Sequence, residues 1–321
     1  MTADSRMRET HGTAPTASEA GESAGLPLGP VVKVCGLTRV DDVVAASRAG
    51  AWALGFIFAS SPRRLTALEA RSLLDEAGKE LAGPAARKEA RYGSPEAAEG
   101  GRAAGGGTTT TRHGPLAVGV FVDHGPEHIA ALVRDVGLDA VQLHGSSAPT
   151  VDSVRNALRG VFPARRLATR AFDREAGEER EGRPRDLREV LIIKAVGVPV
   201  DEPSTAALRD VMREAAAEGA LVLIDSSVAG RTGGTGRTLP WDLVAEAATG
   251  VRFLLAGGID PVNVREALAV SGAWGVDVSS GIEAAPGVKD PRALLNLMAE
   301  VEIVRAGARQ QALLAQEGSK Q

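Results

Sequence analysis

The chain of 321 residues has one cysteine, Cys35, and only 3% aromatic residues. A single cysteine excludes an intrachain disulfide and multi-cysteine zinc or iron–sulfur sites, and it fits a reducing compartment. The scarcity of aromatic residues and the net charge of −4 argue against base stacking and a basic nucleic-acid surface. Because no apolar run is long enough to span a bilayer, we expect a cytoplasmic protein without nucleic-acid or membrane partners.

The two ends of the chain and two internal segments are predicted to lie outside the hydrophobic core. Residues 1–30 are small and polar without an apolar stretch, which predicts a disordered tail or a wrongly assigned start of the chain rather than a secretory signal. Residues 79–114 carry three glycines and four threonines in succession, and residues 164–188 are dense in Arg and Glu. Such compositions resist packing, so we predict two surface insertions on the side where the strands begin. Residues 306–321 are predicted to be a C-terminal tail.

Between these segments, from residue 31 to 305, eight short apolar runs alternate with helical patterns. Nearly continuous Val, Ile, Leu and Ala residues are typical of parallel strands buried on both faces. The predicted strands are 31–35, 53–58, 116–122, 140–143, 190–195, 221–224, 252–256 and 274–278, with helices at 38–49, 66–77, 126–136, 150–158, 204–218, 240–248, 261–270 and 292–305. Capping boxes are predicted at Thr38 with Asp41 and at Thr66 with Glu69. Eight such units predict an α/β fold, the (β/α)8 TIM barrel. The alternative, a doubly wound open sheet, lacks a Gly-x-Gly-x-x-Gly after its first strand.

In a barrel of this kind the site is built from the loops that follow the strands. The chemistry-bearing residues at those positions are Cys35, Arg63, Arg64, Asp123, His144, Asp225, Gly257, Gly258, Asp277, Ser279, Ser280 and Gly281. A glycine-rich loop containing Gly234 follows the sixth strand. Its spacing fails the Walker A pattern, since five residues separate Gly230 from Gly236 and Arg237 stands in place of the lysine, so we interpret it as a lid.

Two small-residue clusters at the last strand ends point to a phosphate site. Gly257 and Gly258 allow a close backbone approach, and the segment 279–281 adds hydroxyl and N–H donors. Loops after strands seven and eight are the usual phosphate position of this fold. The alternative is ordinary turn chemistry, in which Gly and Ser are common.

Cys35 and Asp225 are the candidate proton-transfer groups. They end strands one and six, three strands apart on an eight-strand ring, so their side chains can face each other across the mouth of the barrel. A thiolate and a carboxylic acid placed in this way suit proton transfer on two sides of one small substrate. The alternatives are a buried hydrophobic cysteine and an Asx turn. His144 is a structural or substrate-contacting group, and no His, Asp or Glu spacing indicates a metal site.

Seven sequence blocks occur in order along the chain. They are Val32-Lys33-Val34-Cys35-Gly36-Leu37-Thr38, Gly55-Phe56-Ile57-Phe58, Ser61-Pro62-Arg63, Val118-Gly119-Val120-Phe121-Val122, Gln142-Leu143-His144-Gly145, Gly233-Gly234-Thr235-Gly236 and Asp277-Val278-Ser279-Ser280-Gly281-Ile282-Glu283. Together they resemble the phosphoribosylanthranilate isomerase family of tryptophan biosynthesis, over about residues 31–298 apart from the two insertions. The resemblance implies an Amadori rearrangement of N-(5-phosphoribosyl)anthranilate by a monomer or homodimer, without metal or organic cofactor.

The resemblance also implies residue roles. Asp225 would be the general acid that protonates the ring oxygen, and Cys35 the general base that removes the C2 proton. Arg63 would contact the anthranilate part, although Arg64 follows directly and stays an alternative. The implied substrate-binding residues are Arg63, His144, Gly234, Gly257, Gly258, Asp277, Ser279, Ser280 and Gly281. Because the thiol must ionise near neutral pH, we expect the site to lower the pKa of Cys35.

Two other functions are compatible with the fold. One is another phosphosugar isomerase, such as that of histidine biosynthesis, which resembles a two-aspartate design with Asp at the end of strand one; Cys35 speaks against it. The other is a barrel that binds a phosphorylated ligand without turnover. Conversion of the histidine-pathway aminoaldose, or tight binding without turnover, would distinguish them.

Overall fold

The computed structural model describes residues 29–83, 114–145, 147–161, 167–168, 184–185, 190–197, 204–225 and 240–318. Within these ranges eight parallel strands form a closed barrel, each beside its predecessor in sequence and the last beside the first. They are β1 (Val31–Cys35), β2 (Ala53–Ile57), β3 (Leu116–Val122), β4 (Ala140–His144), β5 (Leu191–Gly197), β6 (Leu221–Asp225), β7 (Phe253–Ala256) and β8 (Gly275–Val278). The predicted barrel is therefore confirmed, and the open-sheet alternative is wrong.

A helix follows each strand and covers the barrel from outside. The helices are α1 (Val40–Arg48), α2 (Ala67–Ala82), α3 (Pro126–Val136), α4 (Val151–Val161), α5 (Thr205–Ala217), α6 (Trp241–Ala247), α7 (Val264–Ser271) and α8 (Pro291–Gly318). Most bounds lie within three residues of the sequence prediction. Two differ more, because α2 continues into the segment assigned to the first insertion and α8 continues through most of the segment assigned to the C-terminal tail.

The two predicted helix caps have different outcomes. Thr66 and Glu69 form the predicted reciprocal capping box at the start of α2. The box at Thr38 is wrong, because α1 begins at Val40 and the Thr38 hydroxyl donates instead to the carbonyl of Gly287, at 2.7 Å. Gly287 lies in the turn of a short antiparallel strand pair, Glu283–Ala285 with Val288–Lys289. The hydrogen bond from Thr38 therefore joins this pair to the β1–α1 loop.

The interior of the barrel changes from apolar to polar along the strands. Its lower layers are filled by small and branched side chains, among them Val31, Val118, Ile193, Leu223 and Leu254. Towards the strand ends the buried set includes three polar side chains, from Lys33, Gln142 and Asp277. Because alternate residues of a strand point to the same face, Val31, Lys33 and Cys35 all point inward from β1. The polar interior thus opens at the end of the barrel where the strands finish.

The two predicted insertions fall mostly outside the described residues, as do residues 1–28. Of the second insertion, the structure describes an antiparallel pairing of Leu167–Ala168 with Pro184–Arg185. Their assignment as surface insertions stays a prediction. In the part of the chain that is described, no helix is long and apolar enough to cross a membrane.

Candidate active site

A buried ion pair underlies the mouth of the barrel. Lys33 on β1 and Asp277 on β8 are directly paired in register, and Lys33 Nζ donates to Asp277 Oδ1 at 2.8 Å. The Lys33 side chain is wholly buried and that of Asp277 is 8% exposed. Burial alone would lower the pKa of Lys33, but the charges and hydrogen bonds of Asp277 and Cys35 outweigh it and raise the pKa. Lys33 is therefore an ammonium ion beneath the thiol.

Cys35 ends β1 in a buried position, two residues beyond Lys33. Burial raises the pKa of its thiol above the ordinary 9.0, and the nearby Asp277 carboxylate acts in the same direction. Lys33 and Lys289 oppose this rise through their positive charges. The sequence-based expectation of a lowered pKa is therefore wrong for the protein without ligand, because the loss of hydration of a thiolate here exceeds the attraction of two ammonium groups.

Asp225 and His144 stand at the ends of β6 and β4, on the same mouth. His144 Nε2 lies 3.8 Å from Asp225 Oδ2, which is longer than a hydrogen bond. Burial lowers the pKa of His144, although Asp225 and Asp277 oppose this, so the imidazole is neutral at neutral pH. Below His144 on the same strand, the Oε1 atom of Gln142 is buried without a hydrogen-bond partner among the described residues. His144 is thus suited to hydrogen bonding rather than to carrying charge.

Arg63, in the loop after β2, forms a bidentate ion pair with Glu283. Its Nε donates to Glu283 Oε1 at 2.8 Å and its Nη2 to Oε2 at 2.5 Å. The Arg63 side chain is 19% exposed, whereas Arg64 is exposed and forms a backbone bridge to Ile57. The stem of Arg63 crosses Gly36, where a Cβ would lie 2.5 Å from Arg63 Cδ. Of the two arginines that the sequence left open, Arg63 is the one directed to the mouth of the barrel.

Lys289 joins this ion pair to the strand ends. Its buried Nζ donates to Glu283 Oε1 at 2.8 Å, to the carbonyl of Cys35 at 2.7 Å and to that of Ser279 at 3.1 Å. Burial raises the pKa of Glu283, but the hydrogen bonds and charges of Arg63 and Lys289 outweigh it and hold the pKa below its ordinary value. Glu283 is therefore a carboxylate shared by two cations.

The predicted phosphate loops follow β7 and β8 and pack against each other. Gly257 and Gly258 both have positive φ, 91° and 66°, which strongly favours glycine. The residues 280–282 form a turn of 3-10 helix after β8. A Cβ at Gly281 would lie 2.0 Å from the carbonyl oxygen of Ile259, so this close approach requires glycine. Gly258 and Ser280 are exposed at the mouth, where a ligand can reach them.

Most of the predicted site residues therefore gather at one end of the barrel. Gly234 and its loop lie outside the described residues, so the lid stays a prediction. Sequence reasoning assigned no role to Lys33, Glu283 or Lys289. Lys33 could have been found, because a lysine inside an apolar strand must be paired. Across the described ranges, no cluster of three or more His, Cys, Asp or Glu side chains could hold a metal ion.

Comparison with known proteins shows the family of this chain. The family model for N-(5'-phosphoribosyl)anthranilate isomerase matches residues 85–179 and 177–300. The N-(5'-phosphoribosyl)anthranilate isomerase of Thiobacillus denitrificans is 33% identical over 272 residues, which cover 84% of this chain and 97% of the relative. The enzyme of that name from Rhodospirillum rubrum is 34% identical, over 86% and 98% of the two chains. The chain belongs to the phosphoribosylanthranilate isomerase family.

Solved structures of phosphoribosylanthranilate isomerases have the same fold. The enzyme from Thermotoga maritima is 28% identical with a TM-score of 0.56, and the match covers 85% of this chain and 98% of that one. Another is a complex with reduced 1-(o-carboxyphenylamino)-1-deoxyribulose 5-phosphate. It is 26% identical with a TM-score of 0.53, at 85% and 98% coverage. These matches span the barrel and not only a local motif.

Proposed function

We propose that the protein isomerises N-(5-phosphoribosyl)anthranilate to 1-(2-carboxyphenylamino)-1-deoxyribulose 5-phosphate in tryptophan biosynthesis. The observation that carries this proposal is the placement of Cys35 and Asp225 at strand ends of one barrel mouth, in a chain that belongs to this isomerase family. Cys35 ends β1 and Asp225 ends β6, and these two strands are three strand positions apart around the barrel. This separation supports proton transfer at two different atoms of one bound sugar.

In the proposed mechanism Asp225 is the general acid. It protonates the furanose ring oxygen, and the bond from that oxygen to C1 breaks to give an open-chain Schiff base. The Cys35 thiolate then removes the proton from C2, and the electron pair moves to form the enolamine, which tautomerises to the ketone. Each positioned proton transfer contributes about 10²- to 10⁴-fold to the rate.

The raised pKa of Cys35 means that the active base is a minor form of the free protein at neutral pH. The Schiff base carries positive charge beside the thiolate during the second step, and an opposite charge favours the ionised thiol. Lys33 adds a permanent positive charge under it. We therefore propose that the thiolate is stabilised mainly when substrate is bound and its ring is open.

The remaining contacts follow the two charged ends of the substrate. We propose that Arg63 binds the anthranilate carboxylate and that the backbone of Gly257, Gly258, Ser279, Ser280 and Gly281 binds the phosphate. His144, as a neutral imidazole near Asp225, is suited to a hydrogen bond with substrate. Asp277 accepts a hydrogen bond from Lys33, and its own charge raises the pKa of the thiol. We propose that it also contacts the substrate, as the family resemblance implies. Gly234 is proposed to contact substrate from the loop after β6.

The test is turnover of freshly made N-(5-phosphoribosyl)anthranilate, followed by loss of its anthranilate-type fluorescence. We expect rapid conversion by the wild type, and no conversion of the histidine-pathway aminoaldose in a parallel assay. Conversion of the aminoaldose at a similar rate would replace the proposal by a two-substrate isomerase. A folded protein that converts neither, yet binds a phosphosugar tightly, would indicate a binding protein.

A further inference from the structure

We propose that Glu283 and Lys289 are positioning residues that fix Arg63 for the carboxylate of the substrate. Through this arrangement the protein would select a carboxylated aryl amine over its unsubstituted counterpart. The inference rests on the proposed function, in which Arg63 meets that carboxylate. Its new content is that selectivity depends on a carboxylate–ammonium unit that does not itself touch the substrate.

The geometry of the ion pair fixes the plane of the guanidinium. Two parallel hydrogen bonds from Nε and Nη2 to the two oxygens of Glu283 define one orientation, as a single contact would not. They use one hydrogen each of Nε and Nη2, so three N–H groups, two on Nη1 and one on Nη2, take no part in this ion pair. A planar arginine held in this way can offer its other edge to a second carboxylate. The long stem of Arg63 would otherwise sample many rotamers at the mouth.

Lys289 keeps the unit attractive to an anion. Arg63 and Glu283 alone would sum to zero charge, and the Lys289 ammonium brings the cluster of three to a net +1. Burial lowers the pKa of Lys289, and the hydrogen bond and charge of Glu283 oppose this. Its Nζ also fixes Glu283 Oε1, which receives a further contact from the backbone N–H of Gly287 at 3.4 Å. Glu283 is 4% exposed at its side chain and Lys289 is 1% exposed, so both are shielded from solvent and salt.

The unit is attached to the proposed machinery rather than to the periphery of the fold. Lys289 Nζ donates to the backbone carbonyl of Cys35, the proposed base, and to that of Ser279 in the proposed phosphate loop. Glu283, the end of β1 and the proposed phosphate loop therefore share one buried amine, and Arg63 is connected to it through Glu283. A shift of Glu283 would misplace Arg63 relative to the proposed base and to the proposed phosphate loop. Small misplacements of such groups reduce rates strongly.

The experiment compares Glu283→Gln with wild type on two substrates, N-(5-phosphoribosyl)anthranilate and N-(5-phosphoribosyl)aniline, which lacks the carboxylate. We expect the variant to lose about 10- to 100-fold in kcat/KM on the first substrate, mainly through KM, and less than about 3-fold on the second. In an Arg63→Met background, Glu283→Gln should have little further effect. Asp75→Asn, which removes the partner of Arg71 on the surface of α2, is the matched control and should change neither substrate.

The outcomes separate the inference from the proposed function. Equal losses by Glu283→Gln on both substrates would reveal a structural role and overturn the inference. Tighter binding of the anthranilate substrate by Glu283→Gln than by wild type would also overturn it, because Glu283 would then only repel the carboxylate. Affinity for reduced 1-(o-carboxyphenylamino)-1-deoxyribulose 5-phosphate and for its analogue without the carboxylate gives a second readout that needs no turnover. If wild type turns over neither substrate, the proposed function fails. The inference then stands only if wild type prefers the carboxylated ligand and Glu283→Gln loses that preference.

Discussion

Lys33 Nζ and Asp277 Oδ1 lie 2.8 Å apart inside the barrel, beneath the thiol of Cys35. The pair bridges the first and last strands, where the barrel closes. Electrostatically it lies between the two proposed proton-transfer groups, since Lys33 and Asp277 both act on the pKa of Cys35, and the charge of Asp225 acts on the pKa of Asp277. Burial raises the pKa of the thiol, and the two charges of this pair act on that pKa in opposite directions, Lys33 lowering it and Asp277 raising it.

Replacing Lys33 by Met should raise the pKa of the thiol further, because the nearest positive charge is removed while Asp277 remains. Since the chain has one cysteine, alkylation by iodoacetamide reports on Cys35 alone. We expect the rate at pH 8 to fall by about 10-fold or more. Lys194→Met, which removes a partly exposed lysine paired with Glu218, should leave the rate unchanged. An unchanged rate in Lys33→Met would contradict the role given to Lys33.

Removing the carboxylate of the Lys33–Asp277 ion pair should lower the free energy of unfolding. Asp277→Asn leaves the Lys33 ammonium buried without a countercharge, and such changes cost about 3–5 kcal/mol. Replacing both residues by apolar ones, Lys33→Met with Asp277→Leu, should cost less than Asp277→Asn alone. Urea unfolding of the three proteins checks this order, and a double variant less stable than the single one would refute it.

The thiol should also leave a signature in the dependence of stability on pH. Folding raises the pKa of Cys35, so the folded chain holds this proton more tightly than the unfolded chain. The resulting stabilisation is complete below the ordinary thiol pKa and is lost as pH rises through the folded value. Between pH 8 and 10.5 the free energy of unfolding of wild type should therefore fall more steeply than that of Cys35→Ser. Parallel curves for the two proteins would exclude the raised pKa.

The packing of the proposed phosphate loops predicts opposite effects for two glycines. Gly281→Ala places a Cβ against the Ile259 carbonyl, so the loops must separate, with a lower melting temperature and a KM at least about 10-fold higher. Gly160→Ala in α4 meets nothing within 4 Å, and removing a helical glycine should stabilise by up to about 1 kcal/mol with unchanged KM. A normal KM in Gly281→Ala would argue against phosphate binding at this loop.

Much of the fold was predictable because its signals are local. Periodic apolar runs predicted all eight strands of the barrel, and Thr66 with Glu69 predicted the start of α2. The cap at Thr38 was not predictable, since its hydroxyl is taken by Gly287, 249 positions later in the chain. The hydrogen bond from Lys289 Nζ to the carbonyl of Cys35 is equally non-local, since the two residues are 254 positions apart, and this contact could not be inferred from neighbouring residues.

The direction of the pKa shift at Cys35 was the main error in the site, and its cause is tertiary. The position of a thiol after a strand and before a helix suggested easy ionisation. In the folded chain the thiol is enclosed, and burial outweighs the charges of Lys33 and Lys289. A sequence shows that lysines are present but does not show how much water they and the thiol have lost.

The most direct test of the central claim is single-turnover conversion of N-(5-phosphoribosyl)anthranilate by wild type, Cys35→Ser and Asp225→Asn, each verified as folded by circular dichroism. The account predicts fast loss of substrate fluorescence with wild type and rates lower by about 10²- to 10⁴-fold in both variants. Either variant retaining nearly full activity at every pH would contradict the assignment of acid and base to this pair.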